Sequence, residues 1–384
     1  MSITNGFPCQ IICILYVAQN PVAMQTLRCS TSLLFIFISI ATYARQNDKI
    51  QQATDVIQEL LTTYPGVSVA VGVKDKVVWA QGFGYANVNQ KQAVNTQHQF
   101  RYYSLSKSIT GMALIKLIEA GKLDIEQSIT HYLPNLPPHY AKVKVKYLIN
   151  HTAGVRHYKI NEWGQISNNH CNTTEEALPV FIDAPFQSEP GQVETYTSYG
   201  YVLLSRLVEA ISQQSFEQYL QEALFSPLGI QSIHLDQSEA LTNEVQYYQK
   251  WKPDKQKGKL AAEANNSCKF GGGGLVGNAT DLAVLHLAMI NQKITSPELT
   301  EQYYTGIPTT LGEPTDYAFG IGDQRFKSGD TYYIHTGAAR GANAIVMVRK
   351  QGGANNHHVV VVILGNLSDR AMNPIVGKIA AIFN

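Results

Sequence analysis

The chain has 384 residues, of which 45% are apolar and 15% are charged, and its formal net charge is +1. This length and apolar content suffice for a large packed core and exclude a disordered chain. The 30 basic residues almost balance the 29 acidic residues and form no Lys/Arg-rich run, so charge indicates neither a nucleic acid nor another polyanion as a partner.

Residues 1–44 differ from the rest of the chain because they contain no Asp or Glu. Within them an apolar run at Leu33–Ala41 follows Arg28 and precedes the small-x-small sequence Thr42–Ala44. This order is typical of a signal peptide that starts at Met24. We therefore predict a signal peptide or an over-extended N-terminus here, and an exported protein that is periplasmic or secreted. The alternative is a membrane anchor formed by this segment alone, although the run is short for a span of about 20 apolar residues.

Five cysteines occur, and only Cys171 and Cys268 follow the predicted cleavage site. Since no C-x-x-C pair is present, a zinc knuckle or a thioredoxin-type site is not expected. In an exported protein the two cysteines could form a disulfide, or they could remain as two buried thiols. We expect no metal and no cofactor, because the pair His357–His358 lacks an H-x-H-x-D context and is typical of a solvated loop.

The first elements after the leader are a helix and a hairpin. A helix is predicted over Asn47–Thr63 and ends at Pro65–Gly66. Val67–Val73 and Val77–Ala80 then indicate two paired strands, because dense β-branched residues flank the short polar turn Lys74–Lys76.

The middle of the chain is predicted to be mainly helical. A segment that is apolar on most sides predicts a buried helix over Ser104–Ala120, which ends at Gly121. Further helices are predicted over Tyr199–Ser212, Ser215–Leu224 and Leu282–Asn291. The glycines between residues 271 and 274 indicate a hinge or a tight turn.

The C-terminal part returns to β structure. Three strands are predicted over Tyr332–Ile334, Ala344–Val348 and Val359–Leu364, followed by a closing helix over Ala371–Phe383. Strands at both ends with helices between them indicate one α/β lobe built from both termini and an inserted all-helical lobe.

These elements predict one two-lobed domain over residues 45–384. The α/β lobe comprises about 45–106 and 267–384, and the helical lobe comprises about 107–266. A cleft between two such lobes is a favoured place for a small-molecule site. Its walls are expected to include the polar loops His157–Thr174 and Gln249–Lys259.

A first chemical motif is the S-x-x-K sequence Ser104–Lys107. On a helix this spacing places both side chains on one face. A serine hydroxyl is a weak nucleophile until a neighbour takes its proton, and a desolvated lysine can do so. The backbone N–H groups of a helix N-terminus can also stabilise an oxyanion. On this motif alone, a helix-capping serine beside a surface lysine is the favoured interpretation.

Two further motifs follow in the chain, Tyr196–Ser198 and His335–Gly337. A tyrosine near a cationic lysine loses its proton more easily and can act as general base and acid. A glycine at the end of a strand lets a substrate lie against the strand edge, and the N–H of Ala338 could serve as an oxyanion donor facing that of Ser104. Each motif alone could be structural, but the three together favour one catalytic site.

With these motifs the chain resembles the serine β-lactamase-related family, nearest to class C β-lactamases, D-alanyl-D-alanine carboxypeptidases and related esterases. The resemblance covers roughly Gln51 to the C-terminus, and His151–Tyr158 is also similar to the β-lactamase-like serine proteases of animal mitochondria. The other matching segments are Leu148–Gly154, Pro227–Ile230, Gly273–Leu275, Asp281–Leu282 and Val361–Asn366. The implied fold is the β-lactamase/transpeptidase-like fold, an antiparallel sheet flanked by helices with an inserted helical lobe.

The resemblance also implies roles for individual residues. Ser104 would attack a carbonyl carbon and become acylated, while Lys107 and Tyr196 would share the role of general base. The backbone N–H groups of Ser104 and Ala338 would form the oxyanion hole. The other implied site residues are Ser198, His335, Thr336 and Gly337.

Two positions depart from the family pattern. Ser198 stands where Y-x-N motifs carry asparagine, and His335 stands where many relatives carry lysine. One expectation is that His335 captures a substrate carboxylate through a charge that depends on pH, since its unperturbed pKa is about 6.5. The other is that it stays neutral and hydrogen-bonds Tyr196 or the substrate. His151 is expected to be a structural histidine under the cleft.

Both departures point away from a dedicated β-lactamase. The predicted function is a serine hydrolase that cleaves an amide or ester of a peptide, a D-amino-acid peptide or a small ester through an acyl-serine. The alternatives are a catalytically weak protein that binds penicillin or peptidoglycan fragments, and a true β-lactamase. The expected partner is a small-molecule or peptide substrate.

Overall fold

The computed structural model describes residues 44–159, 162, 170–237, 243–325, 331–350 and 358–383. The chain divides into two compact units, residues 1–54 and residues 55–384. In the first unit the described residues, 44–54, are helical. The predicted leader up to residue 43 lies outside the described residues. Within the described ranges, every helix is too short or too polar to cross a bilayer.

Twelve strands lie within the described part of the second unit. They are β1 (Gly66–Val73), β2 (Lys76–Asn87), β3 (Gln92–Ala93), β4 (Phe100–Arg101), β5 (His234–Leu235), β6 (Tyr248–Lys252), β7 (Lys257–Leu260), β8 (Leu275–Gly277), β9 (Gly322–Arg325), β10 (Thr331–Ala339), β11 (Ala342–Lys350) and β12 (Val359–Gly365). Seven of them form an antiparallel sheet in the order β3-β2-β1-β12-β11-β10-β9. The predicted hairpin and the three predicted C-terminal strands are all in this sheet, and β2 runs seven residues beyond its predicted end at Ala80.

The sheet joins the two ends of the chain through the pairing of β1 with β12. The register runs from Val67 opposite Gly365 to Val73 opposite Val359. Successive residues of both strands are buried, so both faces of the sheet are covered at its centre. This explains why the sequences of these strands are almost continuously apolar instead of alternating between apolar and polar residues.

The described residues form eleven α-helices, one of which begins in the first unit. They are α1 (44–58), α2 (Ser106–Glu119), α3 (Ile129–Tyr132), α4 (Val145–Ile149), α5 (Thr174–Ala177), α6 (Ser198–Ser212), α7 (Phe216–Leu220), α8 (Phe270–Gly273), α9 (Ala279–Ile290), α10 (Pro297–Tyr304) and α11 (Met372–Ile382). Helices α9 and α11 pack against β11, β12 and, for α9, β1. Asn278 caps α9, and its Oδ1 accepts the Asp281 N–H at 2.7 Å.

Helix α2 is buried along most of its length and carries the first motif at its start. The helix begins two residues later than predicted, because Tyr103–Leu105 forms a 3₁₀ turn that places Ser104 just before it. At Gly111 a Cβ atom would lie 1.8 Å from the Phe319 carbonyl oxygen, so α2 tolerates no side chain at this crossing.

The glycine run at residues 271–274 is not the hinge or tight turn predicted from the sequence. Its first three glycines belong to α8 and are buried. A Cβ at Gly271 would lie 2.1 Å from Thr110 Oγ1, and one at Gly272 would lie 2.5 Å from the Ser198 carbonyl oxygen. The glycines are present because α8 passes directly between α2 and α6.

The segment predicted as a surface loop, Gln249–Lys259, is an antiparallel hairpin made of β6 and β7. Strands β4, β8 and β5 form a separate three-stranded sheet. In the described residues between 107 and 266, helices are the main regular structure, and β5, β6 and β7 are also present. The lobe boundaries predicted from the sequence stay a prediction.

Cys171 and Cys268 form a disulfide that closes a loop of 97 residues, which decides between the two alternatives left open by the sequence. The N–H of Cys171 also donates to Ser267 Oγ at 3.0 Å. The disulfide therefore links Cys268, the residue immediately before Lys269, to the segment that begins at residue 170.

Replacing Cys171 by Ser should lower the free energy of unfolding by about 2–5 kcal/mol, because the closed loop restricts the unfolded chain. Urea denaturation of the oxidised protein, the reduced protein and the variant measures this. Reduction should shift the wild type to the stability of the variant and leave the variant unchanged. Equal midpoints for oxidised and reduced wild type would contradict the prediction.

Candidate active site

A cavity of about 360 Å³ brings the three sequence motifs together. Six of the eight predicted site residues line it, and the other two, Lys107 and Gly337, are buried beside it. The six are Ser104, Tyr196, Ser198, His335, Thr336 and Ala338. The motifs therefore converge although they are up to 231 residues apart in the chain.

The turn that carries Ser104 has an unusual backbone. Tyr103 has a φ of +46°, a left-handed conformation that is costly for a bulky residue and that occurs preferentially at functional sites. Strand β10 approaches this turn closely at Gly337, where a Cβ would lie 1.9 Å from the Tyr102 carbonyl oxygen and 3.0 Å from the Ser104 nitrogen. Only glycine permits this approach, which brings the backbone of Ala338 to the cavity beside Ser104.

Lys107 is fully buried, and its amine contacts three oxygen atoms. Its Nζ donates to the Gly272 carbonyl oxygen at 2.6 Å and to Ser198 Oγ at 2.9 Å, and it lies 3.4 Å from Ser104 Oγ. Burial, and secondly the positive charge of Lys269, hold the pKa of Lys107 well below its usual range. A neutral amine has two N–H donors and one lone pair, so the lone pair is directed to the Ser104 hydroxyl. This arrangement can accept the serine proton.

Tyr196 lies above this amine, with Lys107 Nζ 4.8 Å from its ring centroid. Burial raises the pKa of the Tyr196 phenol above its usual range, and hydrogen bonding to Ser104 acts in the opposite direction. The burial of Tyr196 and the lowered pKa of Lys107 therefore argue against the expectation that a lysine cation makes this phenol lose its proton. Of the two candidates for the resting base, the geometry favours Lys107, and the neutral phenol remains a proton donor.

Two neutral histidines hold the second motif in place. The Thr197 N–H donates to His151 Nδ1 at 3.2 Å, and the Ser198 N–H donates to His157 Nδ1 at 3.1 Å. Burial lowers the pKa of His151 well below its usual range and that of His157 to about 4. His151 is fully buried, in accordance with its expected structural role.

His335 is buried on β10 and does not provide the cation that relatives with lysine have here. Burial lowers the pKa of His335 to about 3. The expectation of a pH-dependent charge that captures a carboxylate stays a prediction, and the burial of the imidazole argues against it. A neutral imidazole, the other expectation, agrees with the structure.

Three parts of the lining were only partly foreseen from the sequence. The predicted loop His157–Thr174 supplies His157 and Tyr158 to the cavity wall, as expected. The described lining includes no residue of the β6–β7 hairpin. Tyr317 has its ring centroid 5.5 Å from that of His335, and no sequence signal marked it. Lys269 also lines the cavity, and a lysine between a cysteine and a glycine run was the available signal.

The fold and this arrangement of serine, lysine and tyrosine define a serine hydrolase of the β-lactamase type. The family model described as Beta-lactamase matches residues 53–381. The chain therefore belongs to the beta-lactamase family.

Among curated proteins, the chain is similar to the mitochondrial serine beta-lactamase-like protein LACTB of Mus musculus, with 25% identity over 382 residues, 74% of this chain and 69% of the mouse protein. It is also similar to penicillin-binding protein 4* of Bacillus subtilis, with 25% identity over 174 residues, 45% of this chain and 38% of that protein.

Solved structures show the same fold. The octameric penicillin-binding protein homologue from Pyrococcus abyssi gives a TM-score of 0.70 at 23% identity and covers 88% of this chain and 76% of that chain. The D-amino acid amidase from Ochrobactrum anthropi SV3, complexed with L-phenylalanine amide, gives a TM-score of 0.70 at 20% identity and covers 88% of this chain and 98% of that chain. The predicted β-lactamase/transpeptidase-like fold is confirmed.

Gly337→Ala should slow labelling of the protein by a serine-reactive fluorophosphonate by about 100-fold, the size of effect expected when a catalytic group is displaced by about 1 Å. The new Cβ would collide with the Tyr102 carbonyl oxygen and push β10 away from Ser104. Gly377→Ala is the matched control, because its Cβ would meet nothing closer than Met347 Cε at 3.9 Å. Equal labelling rates for both variants would contradict the inferred geometry.

The neutral state of His335 predicts that no histidine titration affects substrate capture. Between about pH 5 and 7 the ratio of KM for an acidic substrate to KM for a neutral one should stay constant, because the imidazole gains its charge only near its pKa of about 3. Steady-state kinetics with both substrates across this range provides the measurement. A ratio that rises with a midpoint near the ordinary histidine pKa of about 6.5 would restore the charge-capture idea.

Proposed function

We propose that the protein hydrolyses amides or esters of small acyl compounds or peptides by forming an acyl-enzyme at Ser104. The observation that carries this proposal is the 3.4 Å distance between Ser104 Oγ and the Nζ of a fully buried Lys107 whose other contacts occupy both N–H donors of a neutral amine. A silent binding protein has no need of a buried amine beside an accessible serine.

In acylation, Lys107 Nζ takes the proton of Ser104 as Oγ forms a bond to the substrate carbonyl carbon. The carbonyl π electrons move to the oxygen, and the N–H groups of Ser104 and Ala338 stabilise the resulting oxyanion. When the intermediate collapses, the bond to the leaving amine or alcohol breaks. Tyr196 donates a proton to the leaving group and regains one from the Lys107 ammonium.

Deacylation reverses these proton movements with water in place of the leaving group. The water gives its proton to the neutral Lys107 amine, directly or through Tyr196, while its oxygen bonds to the acyl carbon. Collapse of the second intermediate breaks the bond to Ser104 Oγ, which recovers its proton, and releases the carboxylic acid. The burial of Lys107 supports this cycle because it keeps the resting amine unprotonated.

Two features favour a peptidase, amidase or esterase over a β-lactamase. Ser198 Oγ accepts from Lys107 and thus serves the amine, whereas an asparagine at this place would present an amide to the acyl side chain. The neutral His335 offers no fixed cation for the carboxylate of a β-lactam. The amidase similar to this chain was solved with an amino-acid amide, and a cavity of about 360 Å³ suits a ligand of that size.

We also propose that the mature protein is exported, to the periplasm or the outside of the cell. The leader-like composition of residues 1–44 supports this, and so does the disulfide between Cys171 and Cys268, since such bonds persist in oxidising compartments.

Ser104→Ala should abolish covalent labelling by a fluorophosphonate and turnover of p-nitrophenyl esters, because Ser104 is the proposed nucleophile and its Oγ lies 3.4 Å from the buried Lys107 amine. The variant should melt at the temperature of the wild type, since Ser104 is only half-buried and its loss leaves the packing of α2 intact. Mass spectrometry of the labelled protein measures the stoichiometry.

Ser226→Ala, which removes an exposed hydroxyl, is the control and should label like the wild type. Stoichiometric labelling of Ser104→Ala would place the nucleophile elsewhere. Absence of labelling in the wild type would favour the binding protein that is the main alternative.

A further inference from the structure

Lys269 is a buried lysine in the wall of the active-site cavity. In the proposed catalytic cycle its positive charge has no role toward the substrate. Only 5% of the residue is exposed. Its Nζ donates to Asn266 Oδ1 at 2.6 Å and lies 5.2 Å from the ring centroid of Tyr103, the residue before the nucleophile. The amine is thus held against the turn that carries Ser104.

A row of buried polar side chains fixes the position of this amine. Asn266 Nδ2 donates to Asp236 Oδ2 at 2.5 Å, and Arg101 Nε donates to the same oxygen at 2.8 Å. One contact of the Lys269 amine is made by a neutral amide oxygen, that of Asn266, which orients Nζ. Burying a charged group is costly, and such groups are concentrated at binding and catalytic sites.

Lys269 and the residues around Tyr196 contact different parts of the cavity wall. Tyr196, Tyr317 and His335 form one aromatic cluster, with ring centroids 5.5–6.5 Å apart. Lys269 instead lies over Tyr103, whose hydroxyl donates to the Arg340 carbonyl oxygen at 3.3 Å in the turn after β10. The leaving group must receive its proton from Tyr196, so it departs on the side of the aromatic cluster. The acyl half of the substrate is left facing Lys269.

We propose that Lys269 binds a carboxylate on the acyl half of the substrate, so that acyl donors with a second, free carboxylate are the preferred substrate class. This inference rests on the proposed acylation of Ser104. It places the substrate-binding cation on the segment after the disulfide instead of on β10, where the neutral His335 stands. An ammonium suits this role as a compact charge, and a carboxylate that hydrogen-bonds to it is partly withdrawn from water.

The test uses three esters of equal acyl length. The first is the mono-p-nitrophenyl ester of adipic acid, which carries a carboxylate on the acyl half. The second is p-nitrophenyl hexanoate, which is neutral. The third is the hexanoyl ester of 4-hydroxybenzoate, which carries its carboxylate on the leaving group. The wild type should show its lowest KM with the adipate ester.

Lys269→Met keeps the length of the side chain and removes its charge. It should raise KM for the adipate ester about 10- to 100-fold, the range of a hydrogen bond to a charged group, and change KM for the two hexanoyl esters less than about threefold. Lys269→Arg should keep the preference for the adipate ester. Lys293→Met removes an exposed lysine outside the cavity lining and should behave like the wild type.

A pH series on the wild type tests the same idea without a substitution. Burial lowers the pKa of Lys269 to about 8, with Arg101 and Arg340 acting in the same direction and Asp236 against them. A lysine is charged below its pKa and neutral above it, so KM for the adipate ester should rise from about pH 7 to 9. KM for p-nitrophenyl hexanoate should show no such rise.

Failure of this inference is distinct from failure of the proposed function. Labelling of Ser104 by a neutral fluorophosphonate, with equal KM values for the adipate and hexanoyl esters, would overturn the role of Lys269 and leave the acyl-enzyme intact. A larger effect of Lys269→Met on the 4-hydroxybenzoate ester would overturn the placement on the acyl half. Absence of labelling in the wild type would remove the basis of both proposals.

Discussion

The burial of the Lys107 amine between Ser104, Ser198 and Gly272 is the interaction on which the site depends. A lysine exposed to solvent stays protonated at neutral pH and cannot accept a proton from serine. Here the surrounding helices exclude water and lower the pKa of the amine, while two hydrogen-bond acceptors take up its N–H groups. Desolvation thus converts an ordinary cation into a base beside the nucleophile.

Close backbone approaches make this burial possible. Gly271 and Gly272 let α8 pass between α2 and α6, so that a carbonyl oxygen reaches the amine. Gly337 lets β10 come against the turn of Ser104 and brings the Ala338 backbone to the cavity. The pairing of β1 with β12 fixes the sheet in which β10 lies. The site is therefore complete only when both ends of the chain have paired.

Residue types alone do not show which side chains of the cavity are charged and which are neutral. His151, His157 and His335 are all held neutral by burial, so they act as hydrogen-bonding or packing groups around Tyr196. The positive charge lies on Lys269, which is fixed through Asn266 and which also helps to keep Lys107 deprotonated. A cation that binds substrate and a neutral amine that takes protons can thus coexist in one cavity.

The sequence by itself determined the class of fold and the motif residues. Periodicity and β-branched runs are local properties, and they predicted the main strands and the long helices, although β2 and β10 run seven and five residues beyond their predicted ends. The spacing of Ser104 and Lys107 placed both on one helix face. The tertiary structure alone decided the disulfide, the role of the glycine run in α8, the neutral state of His335 and the place of Lys269. Each of these depends on burial and on contacts between segments far apart in the chain, and neither composition nor spacing records how deeply a side chain is desolvated.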